Sequence, residues 1–345
     1  MMEGEMKKID DAKAKLVCVT GAAGYIASCL IKRLLLCGYT VIGTVRDPGD
    51  ERKVGHLWKL EGAEERLKLV KADLTEEGSF DDAIMGCEGV FHTASPVLPT
   101  PNEGMLKAAV EGTLNVLRSC QKNPCLRRVV LTSSSSAVRA RNDFDPKMPL
   151  DESSWSSVQL CQNLQAPPYT SRLNTSGAVV PFPSQHLRRR CTLPVSTPPV
   201  PRTAVSHTGY GAKPSFWSCS VKADNLKSKN FKSTWVTEKF QVHGRMGYVH
   251  IDDVAASHIL VYEQEDAEGR YICNSTVIDI QDLASILSNR YPNLPISNRF
   301  IKPEDRQYYE FNTSKLRSLG MKFKSLEEMF DDTVASLMEQ GHLSP

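Results

Sequence analysis

Metal-ligand spacing, a membrane-length apolar run and a surplus of charge are all missing from this sequence. Its ten cysteines (18, 29, 37, 87, 120, 125, 161, 191, 219 and 273) include no CxxC pair and no Cys/His cluster. That excludes a zinc site and a dense disulfide framework, and makes a reducing compartment the default. No stretch reaches the roughly 18 uninterrupted apolar residues that a membrane helix needs. The charged opening MMEGEMKKIDDAKAK has no apolar centre and does not read as a signal peptide. The expectation is a cytoplasmic protein without a membrane span. Lys plus Arg number 42 against 40 Asp plus Glu, a net charge of +2 that offers no field for nucleic acid. What is present is 345 residues, 41% hydrophobic and 24% charged. Such a composition suits a globular chain of one large α/β domain or two modest ones.

Residues 15 to 165 read as strands alternating with helices. LVCVT (Leu16 to Thr20) is a short apolar run ending at a glycine, as a buried parallel strand does. The following GAAGYIASCLIKRLLLCG places Ile26, Leu30, Ile31, Leu34 and Leu35 at helical spacing, with Gly38 where a C-terminal cap belongs. TVIGTV, RLKLVKADL, GVFHTAS and RRVVLTSS give four more strands, and MLKAAVEGTLNVLRSCQ a helix between the last two. Repeated βαβ units of this kind predict a Rossmann-type, doubly wound parallel sheet covered on both faces.

Gly21-Ala22-Ala23-Gly24-Tyr25-Ile26-Ala27 is a GxxGxxA turn between the first strand and the first helix. Gly21 permits a tight turn, Gly24 lets backbone approach a pyrophosphate, and the helix N-terminus turns free N–H groups and a positive dipole toward it. The second strand ends at Arg46, with Lys53 seven residues on. An acid at that place would accept from ribose hydroxyls, whereas an arginine pairs with a 2′-phosphate, so the expected cofactor is NADP(H).

One block departs from this order. Residues 166 to 236 hold nine of the 20 prolines and ten Lys or Arg against a single acid, Asp224, a net of +9 in an otherwise acidic chain. The block shows no sustained period of 2 or 3.6 and buries too little apolar surface to offset its ordering entropy. It reads as a disordered insert.

With VCVTGAAGYIA, GTVRDPGDERKVGHLWKLEGA, KADLTEEGSFDDAIMGCEGVFHTASPV and RRVVLTSSSS in hand, the chain resembles the plant extended short-chain dehydrogenase/reductases. Within them it is similar to the dihydroflavonol and cinnamoyl-CoA reductase group, and there to the tetraketide α-pyrone reductases of pollen-wall (sporopollenin) biosynthesis. GYVHIDDVAASHILVYE, GRYICNSTV and KFKSLEEMFDDTVASL carry the resemblance into the C-terminal third. It covers residues 14 to 165 and 238 to 343 and breaks at 166 to 236.

The resemblance implies three parts: an NADP-binding domain over 14–165, the aberrant segment over 166–236, and a substrate lobe over 237–345 that also completes the sheet. It implies that Gly21, Gly24, Tyr25 and Ile26 hold the pyrophosphate, and that Arg46 and Lys53 hold the 2′-phosphate. Asp73 and Leu74 then lie beside adenine, and Thr93, Ala94 and Ser95 beside the ribose and nicotinamide. Ser134 aligns with the catalytic serine, with Ser133 and Ser135 as rivals in register. The family's serine works with a Tyr-x-x-x-Lys helix, whose lysine acidifies the tyrosine that protonates the carbonyl oxygen. None of the ten tyrosines here has lysine four residues later. The nearest spacing, Tyr210 to Lys213, is followed by Pro214, which disfavours helix, and the Tyr169 segment offers only Arg172.

Compared with the family, the block reads as out of frame or intron-derived, and the sheet would lack a central strand. The expected activity is reduction of a carbonyl on a small polyketide- or phenylpropanoid-type substrate. The alternatives are an NADP(H)-binding protein without turnover, or a non-functional product. Other features have plainer readings. Asp252 is expected as a helix N-cap, His92 as packing beside the cofactor strand, the C-terminal Leu/Met/Phe stripe as core, and the cysteines as small core residues.

Overall fold

A computed structural model describes residues 15–96, 103–143, 145, 147–163, 190–195, 245–294, 296 and 308–339. The strands are β1 (Leu16–Thr20), β2 (Thr40–Val45), β3 (Leu67–Lys71), β4 (Gly89–His92), β5 (Arg128–Ser134), β6 (Arg190–Val195), β7 (Arg245–Tyr248), β8 (Gly269–Arg270) and β9 (Thr276–Asp279). The first seven helices are α1 (Tyr25–Leu36), α2 (Glu51–Val54), α3 (Ala63–Arg66), α4 (Asp81–Ile84), α5 (Glu103–Lys122), α6 (Ser136–Arg139) and α7 (Val158–Asn163). After them come α8 (Ile251–Glu263), α9 (Ile280–Arg290), α10 (Ser314–Ser318) and α11 (Leu326–Glu339).

Seven strands form a parallel sheet in the order β3-β2-β1-β4-β5-β6-β8, and β7 pairs antiparallel with β9 in a separate ribbon. The alternation of side chains along each strand divides the core in two. Val17 and Val19 of β1, Phe91 of β4 and Val130 of β5 face α1 and α8, packing with Leu30, Ile31, Val254 and Ile259. Cys18, Val90 and Val129, one residue out of phase, face α4 and α5 and pack with Ile84, Val116, Leu117 and Cys120. Both faces are apolar because both are covered. A third cluster, with Tyr248, Leu283, Met329 and Phe330, seats α9 and α11 on the β7–β9 ribbon, so the C-terminal stripe is core.

The α1 helix ends as its glycine requires. Gly38 has φ +82°, and Gly38 N–H and Tyr39 N–H donate to the carbonyls of Leu35 and Leu34, each at 3.0 Å. That is a Schellman closure.

The expectation of a sheet lacking a central strand is corrected. Arg190–Val195 lies inside the block read as a disordered insert, yet it forms β6, parallel to β5 from Val129↔Arg190 to Ser134↔Val195 and then to β8. The run Cys-Thr-Leu between the arginines and Pro194 is short enough to vanish in any longer window, but four to six residues suffice for a strand. The remainder of residues 166 to 236, with Tyr169, Tyr210 and Lys213, lies outside the described residues. No described helix is long and apolar enough to cross a membrane.

Candidate functional site

The C-terminal ends of five adjacent parallel strands, β3-β2-β1-β4-β5, lie side by side along one edge of the sheet. Neighbouring strands are about 4.8 Å apart, so residues just past Lys71, Val45, Thr20, His92 and Ser134 line one crevice. The chain order reverses between β1 and β4, where open α/β sheets receive ligands.

At the centre, Gly21 turns the chain out of β1 with φ +69°. A Cβ there would lie 3.0 Å from Ala94 Cα and 3.1 Å from Ala94 Cβ, so only glycine fits both the backbone and the space. Gly21 N–H donates to Thr44 Oγ1 at 3.3 Å, Ala22 N–H to Thr44 O at 2.9 Å and Gly24 N–H to Gly21 O at 2.8 Å. Gly24 is the N-cap of α1 with no side-chain cap, and no acid sits in the first turn. A helix end without a side-chain cap, its dipole unopposed by an acid, can take a pyrophosphate. Tyr25 and Ile26 open α1 at this point, both partly buried, and burial raises the Tyr25 hydroxyl well above its usual range.

Past β2, Arg46 is exposed. Lys53 in α2 is already ion-paired with Asp50 at 2.7 Å, and the pairing holds the Asp50 carboxyl down. Past β3, Asp73 Oδ1 accepts from Thr75 N–H at 2.8 Å and from Thr75 Oγ1 at 2.7 Å. These bonds, with Arg46 and Lys71 near, lower the Asp73 pKa. Asn115 of α5 donates to Leu74 O at 2.9 Å and braces the Asp-Leu pair.

Past β4, Thr93 N–H and Ala94 N–H both donate to Thr20 Oγ1 at 3.1 Å, and Thr93 Oγ1 donates to Thr20 O at 2.5 Å. Ser95 is exposed beyond them. At the end of β5, Ser134 Oγ accepts from Ser136 N–H at 3.1 Å. Ser133 Oγ is buried with no hydrogen-bond partner, and Ser135 is the N-cap of the one-turn α6. Ser156 ties this turn down, accepting from Ala140 N–H at 2.8 Å and donating to Ser136 O at 2.5 Å.

Two buried histidines brace these strand ends. His92 packs in β4 as expected, 1% exposed, and also bonds to Thr20 at 2.8 Å. His258 of α8 is the second, and no sequence motif marks it. Its Nδ1 donates to Val254 O at 2.7 Å and its Nε2 accepts from Thr132 Oγ1 at 2.7 Å, two residues before Ser134. A polar residue on the apolar face of a helix was the available signal. The N-cap expectation is corrected too. His250 caps α8 by accepting from Asp252 N–H at 3.1 Å, while the Asp252 carboxylate accepts from Cys29 Sγ and Lys324 Nζ, each at 3.4 Å. Among the described cysteines, Cys18, Cys87, Cys120 and Cys273 are buried as expected, whereas Cys37 and Cys125 are exposed.

Comparison with known proteins supplies the lineage. Residues 17–157 match the NAD dependent epimerase/dehydratase family. Tetraketide alpha-pyrone reductase 1 of Arabidopsis thaliana is 60% identical over 339 residues, 97% of this chain and 99% of the relative. Cinnamoyl-CoA reductase 1 of Petunia hybrida is 39% identical over 95% of this chain and 94% of its own. The crystal structure of vestitone reductase from alfalfa (Medicago sativa L.) superimposes with a TM-score of 0.73 at 32% identity, covering 95% of this chain and 99% of that one. The chain therefore belongs to the NAD dependent epimerase/dehydratase family of extended short-chain dehydrogenases/reductases, in the group of the tetraketide α-pyrone and cinnamoyl-CoA reductases.

Proposed function

We propose that this chain is a cytoplasmic NADP(H)-dependent reductase of a carbonyl on a polyketide- or phenylpropanoid-type substrate, in the manner of a tetraketide α-pyrone reductase of the pollen-wall pathway. The observation that carries the reading is the alignment of strand ends around the uncapped α1, joined to 60% identity with a protein of that name across both lengths. Seven free thiols among the described cysteines suit a reducing compartment.

In this reading Gly21, Gly24, Tyr25 and Ile26 hold the pyrophosphate. Arg46 meets the 2′-phosphate, and Lys53 joins it at the expense of its pair with Asp50. Asp73 and Leu74 flank the adenine, and Thr93, Ala94 and Ser95 flank the ribose and nicotinamide. The bound cofactor supplies the hydride. Ser134 Oγ accepts one backbone N–H, so its own proton is free to be donated to the carbonyl oxygen of the substrate.

A second reading, an NADP(H) binder without turnover, is favoured by one observation: no tyrosine is followed by lysine at the fourth position. The purified full chain decides between them. NADPH should quench tryptophan fluorescence under both, and only the first gives NADPH consumption with a tetraketide α-pyrone or a cinnamoyl-type carbonyl. Ser134→Ala should then cut turnover by about 100-fold while NADPH quenching persists. Quenching without consumption refutes the reductase and leaves the binder.

A further inference from the structure

A hydrogen-bond chain runs from the Gly21 turn through the sheet to α5. Thr20 Oγ1 accepts from Thr93 N–H and Ala94 N–H, which occupies both of its lone pairs. Its hydrogen is therefore donated to His92 Nδ1, 2.8 Å away. That fixes the imidazole as the neutral tautomer with its proton on Nε2, facing Thr113 Oγ1 at 3.4 Å. The Thr113 hydroxyl is in turn committed to Ala109 O at 2.9 Å. Thr20, His92 and Thr113 are 0%, 1% and 8% exposed, so water does not compete. Each hydrogen in the chain has one place to go.

The chain matters because of what Thr20 holds. Ala94 is the residue that comes closest to the Gly21 turn, within 3.0 Å of a Cβ built there. Movement of the β4 end by a few tenths of an ångström would reshape the crevice between β1 and β4. A Thr20 hydroxyl without an acceptor would rotate and give up one of its two N–H bonds.

We propose that His92 is a positioning residue for the bound dinucleotide: by accepting the Thr20 hydroxyl proton it fixes Thr93 and Ala94 against the Gly21 turn. This rests on the NADP(H) reading. Burial pushes the His92 pKa down to about 4, so the acceptor nitrogen stays available throughout the neutral range.

Two polar substitutions separate the role of Nδ1 from that of bulk. His92→Asn keeps an acceptor oxygen near the place of Nδ1, whereas His92→Gln reaches the Nε2 position and leaves Nδ1 vacant. NADPH titration of the full chain at neutral pH, read by tryptophan quenching, should give a Kd within threefold of the unaltered protein for His92→Asn. For His92→Gln it should be about tenfold weaker, the usual consequence of an unmatched buried donor. Thr113→Val, at the far end of the chain, should lower the urea midpoint and leave the NADPH Kd within threefold. Equal Kd values for the Asn and Gln variants overturn the inference, because His92 would then be packing alone. Absence of quenching in the unaltered protein overturns the cofactor reading and this inference with it.

Discussion

Gly21→Ala and Gly38→Ala form a matched pair that tests the cradle. Both glycines are left-handed, with φ +69° and +82°, so each alanine costs roughly 1–2 kcal/mol of backbone strain. They differ in surroundings. A Cβ at Gly38 meets nothing within 4 Å, whereas one at Gly21 meets Ala94 at 3.0 to 3.4 Å through two backbone atoms and Cβ. Backbone cannot swing aside like a flexible side chain, so the Gly21 variant must push Thr93 and Ala94 away from Thr20. The assay is urea unfolding with and without NADPH at about 100 times the Kd of the unaltered protein, where binding adds about 2.7 kcal/mol. Gly38→Ala should lose roughly 1–2 kcal/mol without cofactor and keep the full increment. Gly21→Ala should lose more, and a 30-fold weaker Kd would shrink the increment to about 0.9 kcal/mol. A Gly21→Ala protein that retained the whole increment would refute the placement of the pyrophosphate at this turn.

Three further outcomes follow from named contacts. Arg46→Ala should weaken NADPH by about tenfold or more, the worth of a charge-assisted bond, and leave NADH unchanged. Equal losses for the two cofactors in parallel titrations would remove Arg46 from the 2′-phosphate. Burial lowers His92 and His258 to about 4 from an ordinary 6.5, so between these values the unfolded chain binds protons that the folded one does not. Their contribution is therefore complete above pH 6.5 and is lost as pH falls toward 4, at up to about 2.7 kcal/mol per pH unit for the two together. Urea midpoints across that window should fall steeply, and His258→Asn should flatten the slope; an unchanged slope would show that His258 is not buried and neutral. Arg128 is 3% exposed, and its guanidinium donates to the carbonyls of Val261, Tyr262, Gln264 and Glu265 where α8 ends. Arg128→Met should cost about 3 kcal/mol by leaving those acceptors unmet, and a loss under 1 kcal/mol in urea would show that water replaces the side chain.

How much could be read from the sequence depended on how local the signal was. The β1 run, the GxxG turn and the Gly38 stop are contiguous, and they appear as β1, the turn and α1 within a residue or two. Arg46 and Asp73 sit at strand ends, which periodicity locates well. β6 was hidden because strand pairing is a property of the partner. Six residues flanked by Arg188, Arg189 and prolines have no period of their own, and β5 and β8 supply the edges that Arg190–Val195 joins. The Thr20–His92–Thr113 chain spans separations of 72 and 21 residues, and His258 reaches Thr132 across 126. No window along the chain sees such pairs. Even the α8 cap shifted from Asp252 to His250, because either side chain can serve and the tertiary partners Cys29 and Lys324 occupy the aspartate.

The chemistry divides at Ser134. The residues proposed to hold the cofactor lie between Gly21 and Ser95, at strand ends and in α1 and α2, and Gly21, Asp73, Leu74 and Thr93 among them are held by hydrogen bonds. Hydride delivery to a carbonyl leaves an alkoxide that needs a proton, and the buried histidines near these strand ends do not offer one. His92 Nε2–H faces Thr113, His258 Nδ1–H is bonded to Val254 O, and both rings are neutral well below pH 7. Tyr39, Tyr291 and Tyr309 have committed their hydroxyls to Glu263, Asp331 and the Arg245 carbonyl. Tyr25 and Tyr248 are held protonated by burial. Ser134 can orient and polarise a carbonyl, and none of these five tyrosines backs it as an acidified donor. Turnover by this chain would draw its proton from solvent or from the stretch between β5 and β7. A solvent donor would make the rate of NADPH consumption climb as pH falls, with none of the plateau that an acidified tyrosine imposes.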